Sequence, residues 1–142
     1  MQAVQVAKEL VQVNKAVNAN MPCLEGLAYN CWGFTAALHG WEQEFEWLWR
    51  EYMDELLESR SILVSEPEQG DIIVFRVGPE YDYDDYYEEG TLLHTGTVYS
   101  TMNGIRIVHK PGSMMLCVQS IEDIIEEHEV YGDNFEFRRI IQ

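Results

Sequence analysis

Cys31, His94 and His109 are the residues of this sequence whose types and spacing can do covalent chemistry. A cysteine attacks a carbonyl as a thiolate, so it needs a lowered pKa or a nearby base, and the base needs something to orient it. Cys31 lies in YNCWGFTAAL, residues 29–38, directly after Asn30, a residue type that caps helices. A helix starting there would set the sulfur against unpaired N–H groups and the positive end of the helix dipole, both of which favour the thiolate. The sequence therefore predicts that Cys31 ionises more readily than Cys23 or Cys117. His94, in LLHTGTVY, and His109, in GIRIVHKPG, are candidates for the base and its orienting partner. MNG between their segments is a hairpin turn signal. Pairing about that turn places the two imidazoles directly opposite each other on one sheet face. A histidine inside a strand is also an ordinary core residue; the pairing of two with a cysteine at a helix tip gives the set its interest.

The elements that must position these residues follow from periodicity. Val4, Ala7, Leu10, Val11 and Val17 have helical spacing, so residues 2–18 read as an amphipathic helix ended by Asn18, Asn20 and Pro22. A helix from Cys31 to His39 follows and breaks at Gly40. WEQEFEWLWREYMDELLESR, residues 41–60, reads as a third helix, with Trp41, Phe45, Leu48, Trp49, Tyr52, Met53, Leu56 and Leu57 on one buried face. Seven acids from Glu42 to Glu58 lie mostly off that face. The pattern then turns to strands: DIIVFRV, TLLHTGTVYS, IRIVHK, MMLCVQS and, at the end, FEFRRIIQ. Ser120 and Asp123 resemble a capping box for a short helix over SIEDIIEEHE. Helices first and strands after predict one α+β domain over residues 1–142, mainly helical to 60 and mainly sheet from 61, with helices packed on an antiparallel sheet.

Composition bounds the function classes. The chain has 142 residues, 46% of them apolar, enough for a hydrophobic core. Nine basic against 25 acidic residues give a net charge of -16, which repels nucleic acid and anionic lipid and suits solubility or a cationic partner. Neither nucleic acid nor membrane is expected as a partner. The N-terminal segment lacks a basic start and a continuous apolar run, so synthesis in the cytoplasm is expected, with lysis or carriage on a virion as routes outward. Three cysteines with no CxxC pair predict reduced thiols and no zinc site, and no cofactor or metal is expected. Residues 78–90, GPEYDYDDYYEEG, hold six acids and four tyrosines. Their spacing fits a calcium loop poorly, which leaves a solvated insertion or a recognition loop for a cationic group. Cys117 reads as core and Cys23 as structural. His39 ends a helix, where a cation suits the dipole, His128 reads as solvated, and Asp71 as the residue that starts a strand and fixes a turn.

NCWGFTAAL, EQGDIIVFRV, LLHTGTVY and GIRIVHKPG, taken in order, resemble the NlpC/P60 class of cysteine peptidases. The shared pattern is a Cys-x-Gly opening a helix (Cys31, Gly33), a Gly-Asp before an apolar strand (Gly70, Asp71), a His-x-Gly in the next strand (His94, Gly96) and a polar residue on the following one (His109). The resemblance implies a papain-like fold and hydrolysis of a peptide or amide bond, commonly in bacterial cell-wall peptides. It also implies the roles: Cys31 the nucleophile, His94 the general base and then acid, His109 the group that holds the His94 tautomer. The backbone N–H of Cys31 would stabilise the oxyanion, with Tyr29 as a further hydroxyl. Asn30 and Trp32 adjoin the substrate but replace the family's usual Asp and Ser, so they mark where the substrate would differ. Two alternatives stand beside the cell-wall peptidase. One is a Cys-dependent amidase or acyltransferase on a non-wall substrate, the other an acidic interaction protein on the same fold that binds a basic partner.

Overall fold

The computed structural model describes residues 2–17, 30–79, 87–112 and 116–141, and of 10–17 the backbone. Tyr29, Cys23 and most of the acidic tyrosine-rich insertion lie outside the described residues. Among the described residues there are four α-helices: α1 (Gln2–Val17), α2 (Cys31–Leu38), α3 (Arg50–Arg60) and α4 (Ile121–Glu127). The strands among the described residues, β1 (Ser61–Val64), β2 (Ile72–Arg76), β3 (Leu92–Ser100), β4 (Arg106–His109), β5 (Cys117–Ser120) and β6 (Phe135–Ile140), form one sheet in the order β1-β6-β2-β3-β4-β5. Every neighbouring pair is antiparallel, so the molecule is α+β with helices packed on an antiparallel sheet. Among the described residues no helix is long and apolar enough to cross a membrane.

The sheet is covered on both faces, which explains why Ile72, Ile73, Val74 and Phe75 are all fully buried and β2 reads as a continuous apolar run. Alternation sends Ile72 and Val74 to a core shared with Ala36 of α2 and Met53, Leu56 and Leu57 of α3. Ile73 and Phe75 face the other way and pack with Val98, Ile107 and, from α4, Ile121 and Ile124. On the α2 side, Thr95 Oγ1 of β3 donates to Thr35 Oγ1 at 2.9 Å, and Thr97 Oγ1 meets His39 Nε2 at 2.9 Å. Polar atoms buried between helix and sheet thus satisfy one another, which avoids the cost of burying them unpaired.

Residues 41–49 are not helical, contrary to the three-four rhythm of their aromatic residues. The helix begins only at Arg50; Trp49 is 74% exposed, and Phe45, Trp47 and Tyr52 are exposed as well, leaving Leu48 as the buried anchor of the segment. The physical reason is a tertiary clamp. Asn30 caps α2 by accepting from Gly33 N at 2.8 Å, and the same side chain donates from Nδ2 to Leu48 O at 2.8 Å and accepts from Leu48 N at 3.2 Å. Leu48 N is therefore spoken for outside any helix. Gly33 faces Glu46 so closely that an added Cβ would stand 1.6 Å from the Glu46 carbonyl oxygen. Local propensity loses to this contact. The sequence reading also passed over β1, whose SILV is too short to show alternation and is recruited by β6, with Ser61 opposite Ile140 and Val64 opposite Phe137.

The Asn30→Ala substitution removes three hydrogen bonds from one buried amide and should lower the unfolding free energy by about 2–4 kcal/mol. Urea unfolding followed by circular dichroism measures it. A loss of only about 1 kcal/mol, the value of a cap alone, would mean that the two Leu48 bonds contribute nothing.

Candidate active site

Cys31 opens α2, buried, at the first turn that Asn30 caps. Its sulfur is faced by the backbone N–H groups of Thr95, Trp32 and Cys31 itself. Thr95 follows His94 on β3, and Thr95 Oγ1 also reaches the Cys31 carbonyl at 3.4 Å, so the helix tip rests on the strand that carries the imidazole. Lys110, fully buried after β4, donates from Nζ to Gly112 O at 2.7 Å, and its charge favours the thiolate. These donors are outweighed. Burial pushes the Cys31 thiol from 9.0 up to about 12, the reverse of the readily ionised cysteine that the helix terminus suggested. A dipole contributes fractions of a kcal/mol to about 2, whereas desolvating an ionised group costs several.

His94 and His109 meet, but not as directly opposed residues. The pairs Thr97–Val108 and Val98–Ile107 set a register in which His109 lies opposite Gly96, two residues along from His94. The imidazoles are diagonal neighbours on the face that packs against α4. Gly96 makes this possible: a Cβ there would come within 2.5 Å of Ile107 Cγ2 and 3.2 Å of His109 Cβ. Across the bare backbone, His94 Nε2 and His109 Nδ1 stand 2.8 Å apart with the rings edge to face. His109 Nε2 reaches one more strand, to Gln119 Oε1 at 2.8 Å, again on the diagonal, since Gln119 lies opposite Ile107. Among the described residues His94 Nδ1 is buried and has no hydrogen-bond partner, the Cys31 sulfur included; α2 lies over the opposite face of the sheet, the one that carries Thr95 and Thr97.

Burial governs both rings. It holds His94 well below its ordinary range, with His109 and His128 adding to the effect. It lowers His109 to about 4, against the raising effect of Gln119. Tyr131 stacks on His94 with centroids 3.8 Å apart and planes within 3°, and burial, then Cys31 and Cys117, drive its phenol up. At neutral pH the thiol, both imidazoles and the phenol are therefore uncharged.

The neighbours of Cys31 are committed to the fold. Asn30 is buried and commits its amide oxygen to Gly33 and Leu48 and one N–H to Leu48, so its oxygen is not open to a substrate. Trp32 is half-buried on the α2–α3 core, and the Arg50 guanidinium lies between its ring, at 5.3 Å, and that of Tyr87, at 4.9 Å. Tyr29 lies outside the described residues. Three readings of outlying residues change. His39 is no dipole-stabilised cation: burial lowers it to about 4 and it bonds Thr97. His128 is not simply solvated; it is half-buried, with Nε2 3.2 Å from Gln119 Oε1 and its ring 5.7 Å from His109. Cys117, half-buried opposite His109, has its thiol raised to about 11. Asp71 does fix a turn: its Oδ2 accepts from Glu68 N at 2.7 Å, and Arg139 holds both its oxygens.

Gln119 and Tyr131 are the site residues that the sequence reading missed. Gln119 carried a signal, since a polar residue inside CVQS two positions from Cys117 shares its face. Tyr131, in a short 3-10 turn, carried none. No group of three or more His, Cys, Asp and Glu among the described residues could hold a metal ion. Compared with known family models, curated proteins and solved structures, the chain matches none.

Two measurements check these electrostatics. A folded pKa of about 4 for His109, below the unfolded 6.5, means that its contribution to stability is whole above pH 6.5 and is lost as pH falls toward 4. Between pH 7 and 5 that amounts to about 2 kcal/mol. The fall in urea midpoint over this range should be shallower in His109→Gln than in the unmodified chain; parallel falls would contradict the burial effect. In the native protein at pH 6, iodoacetamide should show no preference for Cys31. Rapid selective labelling there would place the thiol far below about 12.

Proposed function

We propose that the protein is a thiol hydrolase that cleaves a peptide or amide bond, with Cys31 as nucleophile, His94 as base and His109 as the residue that holds the base. The observation that carries the reading is the Nδ1 of His94, without a partner among the described residues, buried on a ring fixed through its other nitrogen to His109, one residue from the strand position that faces the Cys31 sulfur. A buried lone pair with no partner is costly, and a base awaiting a proton explains its retention.

The chemistry follows from neutral groups. As the Cys31 sulfur attacks the substrate carbonyl, its proton passes to His94 Nδ1, so thiolate and imidazolium arise together in the transition state. The carbonyl oxygen becomes an oxyanion, for which the backbone N–H of Cys31 is the candidate donor. His94 then returns the proton to the leaving amine, the C–N bond breaks, and a thioester remains on Cys31. Water, deprotonated by the same imidazole, attacks the thioester and releases the acid and the thiol. Lys110 favours the transient negative sulfur from its buried position.

The order of motifs and the Cys-His-His set support a papain-like, NlpC/P60-like enzyme, and with it a cell-wall peptide as substrate. Asn30 and Trp32, taken up by the fold, favour a substrate whose free amine is not read at these positions. The same machinery serves an amidase or acyltransferase on another substrate, the outcome then depending on exclusion of water. A second reading, an interaction protein that binds a basic partner, draws on the net charge of -16 and on the raised Cys31 thiol.

Muropeptides incubated with the protein and analysed by mass spectrometry test the proposal. His94→Ala should lower turnover by about 10²–10⁴-fold, and Cys31→Ala should abolish it. Cleavage unchanged in both variants, or absent from the unmodified protein on muropeptides and simple peptide amides alike, would overturn the hydrolase.

A further inference from the structure

The chain of hydrogen bonds that begins at His94 does not stop at Gln119. Gln119 Nε2 donates to Glu127 Oε2, on the last turn of α4. A carboxylate can only accept. Glu127 therefore fixes the orientation of the Gln119 amide: the NH₂ group turns to Glu127 and Oε1 turns to the histidines. The flipped amide would set its oxygen against the carboxylate and its NH₂ against His109.

The direction then propagates. Gln119 Oε1 accepts, so His109 must present its proton on Nε2, at 2.8 Å. His109 is neutral, so its Nδ1 is a lone pair. That lone pair accepts from His94 Nε2 at 2.8 Å, which puts the His94 proton on Nε2 and leaves Nδ1 bare. The buried Nδ1 without a partner agrees with this endpoint, because a lone pair there needs no acceptor. His128 Nε2, 3.2 Å from the same Oε1, fits as a second donor to the amide oxygen.

We infer that Glu127, through Gln119, is a positioning residue that sets the tautomer of His94: a surface carboxylate three hydrogen bonds away decides which imidazole nitrogen is the base. The inference rests on the hydrolase reading for its purpose but not for its measurement. Glu127 is exposed and touches neither Cys31 nor His94 by any hydrogen bond among the described residues, so it can be replaced without disturbing the core.

Histidine tautomers are read directly from long-range ¹H–¹⁵N correlation spectra of ¹⁵N-histidine-labelled protein at pH 7.5. The unmodified chain should show His94 protonated at Nε2. Glu127→Lys puts a donor where the acceptor stood, so the Gln119 amide should turn over, His109 should move its proton to Nδ1, and His94 should reverse to Nδ1–H. Adding Gln119→Glu to that variant restores an acceptor facing His109, with its charge balanced by the lysine, and should return His94 to Nε2–H. A His94 protonated at Nδ1 in the unmodified chain, or a tautomer indifferent to Glu127→Lys, would overturn the inference. These spectra are independent of turnover: the expected tautomers in a protein that cleaves nothing would overturn the hydrolase and leave the relay standing.

Discussion

The approach of β3 to β4 at Gly96 is the constraint on which the rest of the site depends. Two strands that hold their backbones at ordinary sheet spacing normally fill the gap between diagonal residues with side chains. Here one of the four positions is empty, and two imidazoles close across it. The same step is repeated from β4 to β5, where His109 reaches Gln119. A polar line thus runs across three strands within a face otherwise packed with Ile73, Phe75, Val98, Ile107, Ile121 and Ile124. Such a line is tolerated because each member finds a partner in the next, except at the end that abuts the cysteine strand position.

Electrostatics in this molecule is ruled by exclusion of water more than by fixed charge. Most of the described acids are exposed, while the Cys31 thiol and the His94 and His109 imidazoles are neutral at rest. A preformed thiolate-imidazolium pair would bury two charges, and the covered sheet gives neither a solvent shell. Neutral partners avoid that penalty at rest; under the proposed hydrolase reading, charge arises only when a substrate carbonyl is there to share it. On that reading the helix N-terminus at Cys31 would act on the oxyanion and not on the resting thiol.

Much of the architecture was legible from the sequence because the relevant signals were local. Ser120 caps α4 by accepting from Asp123 N, as its spacing indicated, and β2 to β5 fall where the β-branched and aromatic runs and the MNG turn placed them. Residues 41–49 failed because their periodicity is real but overridden by Asn30, 18 residues away from Leu48, and by the bare face of Gly33. The register of the two histidines failed by one diagonal step, since β3 carries an irregularity between Val98 and Ser100 that the turn alone does not reveal. The thiol's ionisation failed because a sequence shows a helix terminus but not how deeply it is buried. Gln119 and Glu127 belong to one relay only because β5 runs straight into α4, a continuity visible in the chain but uninterpretable without the diagonal from His109.

The position of β6 has a consequence for how the sheet is assembled. It lies between β1 and β2, pairing Ser61 with Ile140 on one side and Ile72 with Arg138 on the other. The strands made earlier cannot join each other; they wait for a segment that follows them by some seventy residues, and closing so long a loop is slow relative to the local β2–β3 hairpin. Until then β2 presents an open, strongly apolar edge of the kind that recruits other chains. Arg138 and Arg139, which enter with β6 and find Ser61 and Asp71 waiting, give that late strand a polar as well as an apolar reason to dock in one register. The line of polar side chains on β3 to β5 can therefore form ahead of the half of the sheet that shields its neighbour, so the order of assembly sets a window of exposure during folding.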